Sequence, residues 1–213
     1  MIDLDIAYIL TVIGVILVSM TLHEAMHGFM AYFLGDDTAK LEGRLTLNPL
    51  KHIDPFLTLL LPLFLAVIQA PIFGGAKPVP FNPNRVKYDE WGAALVAIAG
   101  PLTNLIIAFV CFGIYALMGS PNSGFFSLVL TTAVMVNLGF FVFNIIPIPP
   151  LDGSRVLYAL APEFARRGME AIERYGIVFI FLIVMLASSL ISSYMLAAIR
   201  FFLGVFTYIF GIS

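Results

Sequence analysis

The chain alternates between long apolar runs and short polar stretches. Three runs, at residues 6–34, 91–118 and 125–146, are each long enough to cross a hydrocarbon core of roughly 30 Å, which takes about 20 residues of α-helix. A fourth run covers residues 177–198, whereas the last apolar piece, residues 201–210, is too short to cross by itself. This pattern predicts an all-α polytopic membrane protein, with a three-helix core followed by one or two C-terminal helices.

The connections between these runs predict extended, bent and interfacial elements. Leu45 and Leu47 alternate around a threonine ahead of an Asn-Pro pair, which indicates a short strand. The prolines within residues 71–90 forbid a helix and fit an edge strand or an extended loop. Residues 55–70 are apolar but short and begin with proline, so they fit either a thin span or a re-entrant segment. Pro162 starts an amphipathic helix that is typical of the membrane surface.

Composition agrees with a membrane protein. Hydrophobic residues make up 61% of the chain and charged residues 11%, and the net charge of −2 gives no indication of a nucleic-acid partner. The N-terminus carries acids where a signal peptide carries basic residues, so the first run is expected to remain as a spanning helix. We expect residues 1–213 to form a single membrane-embedded domain, with a core at 6–160 and C-terminal helices at 162–213.

The strongest chemical signal is an H-E-x-x-H sequence inside the first apolar run, formed by His23, Glu24 and His27. Residues four apart share one helix face, so the two imidazoles can bind one zinc ion while Glu24 takes a proton from water. The alternative is a network of hydrogen bonds between helices. Each ionisable group costs about 2.5 kcal/mol or more at bilayer depth, and one metal ion would compensate all three, which favours a metal site.

A catalytic zinc ion usually takes a third protein ligand, for which Asp152 is the best candidate. Its alternative roles are an ion pair with Arg155 and a cap on a helix that begins at Gly153. If residues 55–70 cross the bilayer, Asp152 lies on the opposite side from His27; if they dip in and return, both lie on one side. The second topology also gathers ten of the eleven basic residues on one face, which the positive-inside rule makes cytoplasmic.

Five stretches, in order along the chain, form a specific set: residues 23–27, 43–55, 76–80, 99–104 and 144–153. Together they resemble the site-2 protease family of intramembrane zinc metalloproteases. The resemblance covers roughly residues 6–160, and no stretch matches the regulatory domain that some relatives append. It implies that three helices form a catalytic core, that one zinc ion binds per chain and that Glu24 is the catalytic base. The implied zinc ligands are His23, His27 and Asp152.

The same resemblance implies a transmembrane protein as substrate. A helical substrate exposes no carbonyl, so it has to be unwound locally, and an extended edge could hold it. The candidate residues for that edge are Val79, Pro80 and Phe81. Asn144 and Asn104 are candidates for hydrogen-bonding the substrate backbone or the oxyanion. Bonding between helices explains Asn144 equally well, and packing explains Asn104 better.

The rival function is that of a non-catalytic membrane protein that binds a metal or other helices. A metal carrier would distribute polar ligands over both sides of the bilayer, whereas here they converge on one side. A binder has no need of Glu24. The favoured function is therefore an intramembrane zinc metalloprotease. Its size and the family resemblance imply the plasma membrane, and the positive-inside rule places the active site toward the cytoplasm. Nothing in the sequence indicates a particular substrate, pathway or number of subunits.

Overall fold

The chain folds into helices joined by loops in the computed structural model, which describes residues 6–67 and 74–212. The helices are α1 (Ile6–Phe33), α2 (Thr38–Leu41), α3 (Leu61–Val67), α4 (Asp89–Leu117), α5 (Phe125–Asn144), α6 (Gly153–Leu160), α7 (Glu163–Glu173), α8 (Gly176–Leu186) and α9 (Ser188–Phe210). A π-helical turn at Pro55–Leu60 leads into α3. Among the described residues, α1, α4, α5 and α9 are long and apolar enough to cross a membrane. The predicted fold class, an all-α polytopic membrane protein, is confirmed.

Helix α4 lies at the centre of the fold and packs against α1, α5, α6 and α9. Small side chains dominate its buried face: Gly92, Ala93, Ala94, Ala97, Ala99, Gly100, Ala108 and Gly113. Lipid tails are as apolar as protein side chains, so helices in a membrane associate through close packing and polar contacts rather than through hydrophobic burial. The small residues of α4 allow this close approach and bring α1 and α5 to the same buried polar groups.

The C-terminal helices differ from the prediction. The span expected at residues 177–198 is broken at Ala187, whose backbone (φ −116°, ψ 23°) leaves the helical region. The spanning candidate is instead α9, which includes residues 201–210. Its aromatic side chains pack on α4 and α5 through the ring pairs Phe109–Phe206, Phe112–Phe210 and Phe141–Phe202. Hydropathy alone could not locate this boundary because both sides of the break are apolar.

The predicted strand at residues 45–47 is wrong, since no strand forms in residues 6–67 and 74–212. The chain bends there, and the side chain of Asn48 accepts the N–H of Leu50 to begin a short 3₁₀ turn. Residues 74–82 form a loop rather than an edge strand. This loop is called the extended segment below because the N–H groups of alternate residues, Gly75, Lys77 and Val79, bond to the rest of the protein. The prolines at positions 78 and 80 supply no N–H, which prevents a continuous ladder on one side of this segment.

Hydrogen bonds join described residues on the two sides of the segment around α3. The N–H of Gly75 donates to the carbonyl of Leu57 (3.1 Å), and the hydroxyl of Thr58 donates to the carbonyl of Gly75 (2.7 Å). The N–H of Lys77 donates to the carbonyl of His52 (2.8 Å). Residues beyond the segment therefore meet residues at its start. Of the two topologies, this favours the re-entrant one; residues 68–70 lie outside the described part.

Asp36 links the end of the extended segment to the end of α1 through hydrogen bonds. Its buried carboxylate accepts hydrogen bonds from the N–H and hydroxyl of Thr38 (3.1 and 2.5 Å) and from the N–H of Asn82 (2.6 Å). Burial raises the pKa of Asp36, but the donated hydrogen bonds outweigh burial and hold the pKa below its usual value. Arg44 makes a second hydrogen bond to the extended segment, because its guanidinium donates to the carbonyl of Lys77 (2.9 Å).

Candidate active site

Three side chains from two distant parts of the sequence meet at one point. His23 and His27 extend from the same face of α1, and their Nε2 atoms are 3.1 Å apart. Asp152 immediately precedes α6, and its Oδ2 lies 3.2 Å from Nε2 of His23 and 3.6 Å from Nε2 of His27. The structure thus brings all three predicted zinc ligands together, although α4 and α5 separate them along the chain.

The spacing of these atoms suits one zinc ion. Ligands about 2.0–2.1 Å from zinc in a tetrahedron are roughly 3.3 Å from one another. The observed separations of 3.1, 3.2 and 3.6 Å bracket that value. Oδ2 of Asp152 is buried and has no hydrogen-bond partner among the described residues. An unpaired buried carboxylate oxygen is costly unless a cation neutralises it.

The other ring nitrogens are paired in a way that frees Nε2 for a metal. Nδ1 of His23 lies 2.6 Å from Oδ1 of Asn104, and Nδ1 of His27 lies 2.8 Å from the carbonyl oxygen of Val96. Because an oxygen of either kind only accepts, both pairings require hydrogen on Nδ1. A neutral imidazole with hydrogen on Nδ1 has its lone pair on Nε2, the atom that faces the other ligands.

Neither alternative role for Asp152 is observed. Its side chain makes no capping bond to α6, and Arg155 pairs with Glu173 instead. The turn before α6 approaches the end of α5 so closely that a Cβ on Gly153 would lie 2.1 Å from the carbonyl oxygen of Ile145. Glycine at this position is therefore what allows Asp152 to lie beside the helix end.

Glu24 lies next to the same group, with a carboxylate oxygen within 4.8 Å of the imidazole nitrogens. It is therefore a competing candidate for the third ligand. Its Oε2 accepts the backbone N–H of Val79 (2.9 Å), whereas Oδ2 of Asp152 lies 3.2 and 3.6 Å from the two Nε2 atoms and has no hydrogen-bond partner among the described residues. The geometry favours Asp152 as ligand and leaves Glu24 beside the site, held by the extended segment.

A cavity of about 920 Å³ opens beside these residues. Its walls come from α1, the extended segment, α5, α8 and α9. Of the candidate substrate-binding residues, Val79, Phe81 and Asn144 line it. Asn144 also donates through Nδ2 to the carbonyl of Phe140, one turn back in α5 (3.0 Å). Pro80 follows Val79 in the segment, but its side chain does not belong to the cavity wall.

Asn104 lies behind His23 rather than in the cavity. Its side chain is fully buried, and while Oδ1 faces His23, Nδ2 donates to Oδ1 of Asn137 (2.8 Å). Both ends of the amide are engaged, so Asn104 is not available to hydrogen-bond a substrate. The packing alternative is closer to what is observed, with the addition that Asn104 contacts a candidate zinc ligand.

Sequence reasoning interprets Gly100 with Pro101 as a kink and gives it no role in the site, because glycine has no side chain that could bind a metal. A Cβ at this position would lie 2.4 Å from Nε2 of His27 and 2.8 Å from Nε2 of His23. The absence of a side chain therefore makes the room in which the imidazoles meet. The available signal was a Gly-Pro pair among small residues in a long apolar run, which marks close helix packing.

Comparisons with known proteins agree with this geometry. Peptidase family M50 matches residues 11–188. "Putative zinc metalloprotease YwhC" of Bacillus subtilis is 44% identical over 177 residues, which cover 79% of this chain and 78% of the relative. "Putative zinc metalloprotease Rip2" is 29% identical over 188 residues in Mycolicibacterium smegmatis (87% and 70% covered) and 31% identical over 204 residues in Mycobacterium tuberculosis (92% and 71% covered). No solved structure matches the chain significantly.

We expect Gly100→Ala to weaken zinc binding about tenfold or more, because the new methyl group collides with both imidazoles. Alanine favours helix, so the loss would not come from an unwound α4. Gly14→Ala in α1 is the matched control, since a Cβ there meets nothing within 4 Å. Zinc is measured per chain in detergent-purified protein by elemental analysis and chelator competition. Wild-type zinc affinity in Gly100→Ala would contradict the packing argument.

Proposed function

The chain belongs to peptidase family M50, and from that premise we propose that it is an intramembrane zinc metalloprotease with one zinc ion per chain. Its proposed reaction is hydrolysis of a peptide bond in or near a transmembrane segment of another membrane protein. The observation that carries the proposal is the convergence of His23, His27 and Asp152 beside a cavity that also contains Glu24. A protein that only binds metal or helices has no use for this additional carboxylate.

In this mechanism the side chains bind, orient and move protons. Zinc, when held by His23, His27 and Asp152, supplies Lewis acidity that polarises the scissile carbonyl and eases deprotonation of water. Glu24 accepts the proton of the attacking water and then donates it to the leaving amide nitrogen. The N–H of Val79 holds Oε2 of Glu24, which leaves Oε1 to take the proton. Asn144, on the cavity wall, hydrogen-bonds the substrate backbone.

We expect Glu24→Gln to retain zinc and to lose cleavage by about 10²–10⁴-fold, because glutamine keeps the shape but cannot accept a proton. Zinc content and cleavage of single-pass membrane proteins are measured in proteoliposomes. Glu42→Gln, at an exposed acid, is the matched control. Cleavage by Glu24→Gln at the wild-type rate would overturn the role of Glu24. A wild-type protein that binds these segments without cutting them would favour the helix-binding alternative.

The extended segment supports binding of the substrate as an extended strand. Three of its N–H groups already bind the protein itself, namely those of Gly75, Lys77 and Val79. Backbone groups of successive residues in an extended chain point to opposite sides. Ala76, Pro78 and Pro80 therefore turn their backbone groups the other way, and the two prolines offer carbonyls without N–H. An unwound substrate paired with this edge donates its own N–H groups to those carbonyls.

Disulfide cross-linking tests this edge. We expect a cysteine at Pro78, in a chain that also carries Cys111→Ala and Glu24→Gln, to cross-link to a cysteine near the scissile bond of a bound single-pass substrate. A cysteine at Gly119, in the loop between α4 and α5, is the control and should not cross-link. Equal cross-linking at the two positions would reject the edge as the binding surface. So would a lack of cross-linking at Pro78, if the wild-type protein cleaves the same substrate.

We also propose that the protein lies in the plasma membrane with the site toward the cytoplasm, because the basic residues gather in the loops and helices on the side of Asp152. In a Cys111→Ala chain, Ser123→Cys between α4 and α5 should react with a membrane-impermeant maleimide on intact cells. Arg167→Cys in α7, exposed at the opposite end of α5, should react after permeabilisation only. The reverse labelling pattern would invert the proposed orientation.

A further inference from the structure

A series of buried hydrogen bonds extends from His23 across the three core helices α1, α4 and α5. Nδ1 of His23 meets Oδ1 of Asn104 in α4 (2.6 Å), and Nδ2 of Asn104 donates to Oδ1 of Asn137 in α5 (2.8 Å). Nδ2 of Asn137 donates to Oγ of Ser19 in α1 (2.9 Å) and to the carbonyl oxygen of Ala133 (2.8 Å). The side chains of Asn104 and Asn137 are fully buried and Ser19 is 3% exposed. The proposed catalytic steps do not use Asn137, Ser19 or Ala133.

The carbonyl of Ala133 fixes the direction of this series of hydrogen bonds, because a carbonyl oxygen can only accept a hydrogen bond. It requires Nδ2 of Asn137 on its side, which turns Oδ1 of Asn137 toward Asn104. That oxygen in turn requires Nδ2 of Asn104, which turns Oδ1 of Asn104 toward His23. Reversing either amide would set two acceptors or two donors against each other between fully buried side chains, which is costly. The Ser19 hydroxyl can donate or accept, so it does not set the direction.

We propose that Asn137 and Asn104 are positioning residues that hold His23 with hydrogen on Nδ1, so that Nε2 presents its lone pair to zinc. This inference rests on the zinc site of the proposed function. His27 reaches the same state through one direct bond to the carbonyl of Val96. Both imidazoles are thus oriented by a backbone carbonyl, one directly and the other through two side-chain amides.

This arrangement also couples the ligand on α1 to the helix that leads to the third ligand. Asn137 is in α5, and the chain continues from the end of α5 to Asp152. A displacement of α5 would therefore disturb the orientation of His23 and the position of Asp152 together. Orientation of a ligating histidine by its hydrogen-bond partner is general at metal sites, where loss of that partner lowers metal affinity about 10–100-fold.

The test uses zinc affinity of the full chain in detergent, measured by chelator competition, and the ¹⁵N spectrum of labelled histidine in metal-free protein. We expect Asn104→Leu to weaken zinc binding by about 10–100-fold and Asn137→Leu by about threefold to tenfold. The double variant should bind no more weakly than Asn104→Leu, because Asn137 acts through Asn104. Asn137→Leu should also populate the form of His23 with hydrogen on Nε2.

Two controls separate this role from simple packing. Ser19→Ala should change zinc affinity less than about twofold, because Ala133 still orients Asn137. Thr131→Val in α5 removes a hydroxyl that bonds within its own helix and should have no effect on zinc. Asn137→Asp, protonated at this buried position, donates its O–H to the carbonyl of Ala133 and accepts from Asn104 as asparagine does. It should stay within about threefold of wild type, which provides a test if leucine is not tolerated.

Unchanged zinc affinity in folded Asn137→Leu, or losses that add in the double variant, would overturn the inference. So would a loss in Asn137→Asp as large as that of Asn104→Leu. A lower melting temperature with unchanged zinc affinity would assign the amides to packing alone. A wild-type chain that binds no zinc would instead overturn the proposed function, so the two failures are distinguishable.

Discussion

Burying ionisable groups among apolar helices is the constraint on which the rest of this structure depends. Two imidazoles and two carboxylates lie at one place, and at bilayer depth an unpaired group of this kind costs about 2.5 kcal/mol or more. Three of these groups are therefore tied to a partner, His27 to a carbonyl, His23 to an amide and Glu24 to an N–H. The fourth, Asp152, faces the two imidazoles with a buried oxygen that has no hydrogen-bond partner among the described residues. These partners come from α4 and the extended segment, so the site cannot form unless those elements hold their positions.

Helix α4 supplies the partners of both imidazoles, and the space for them, from a short stretch of its length. Val96 supplies a carbonyl to one imidazole, Gly100 leaves the space for both, and Asn104 supplies an amide to the other. These three residues are four apart, so they share one face of the helix. A helix with larger side chains on this face could offer the same polar atoms but could not approach α1 closely enough to use them.

The extended segment is hydrogen-bonded to the protein along one side, and the backbone of Ala76, Pro78 and Pro80 makes no hydrogen bond with the described residues. Asp36, Arg44 and Glu24 bind it from the protein side, and contacts with residues around α3 bind its start. Holding an irregular backbone in this way satisfies polar groups that lipid could not satisfy. The segment can then be exposed to the cavity without collapsing into it, which is the property that strand-wise binding of a substrate requires.

The amino-acid sequence by itself determined the helical membrane architecture and the motif of His23, Glu24 and His27, because apolar length and i, i+4 spacing are local properties of the chain. The bend that replaces the expected strand at residues 45–47 and the boundaries of the C-terminal helices could not be predicted in this way, since propensity and hydropathy do not record packing partners. The direction of the Asn104 amide, the space at Gly100 and the approach of Asp152 to the imidazoles were decided by the tertiary structure alone. The physical reason is that each depends on atoms from helices far apart in the chain, which meet only after α1, α4 and α5 have packed together.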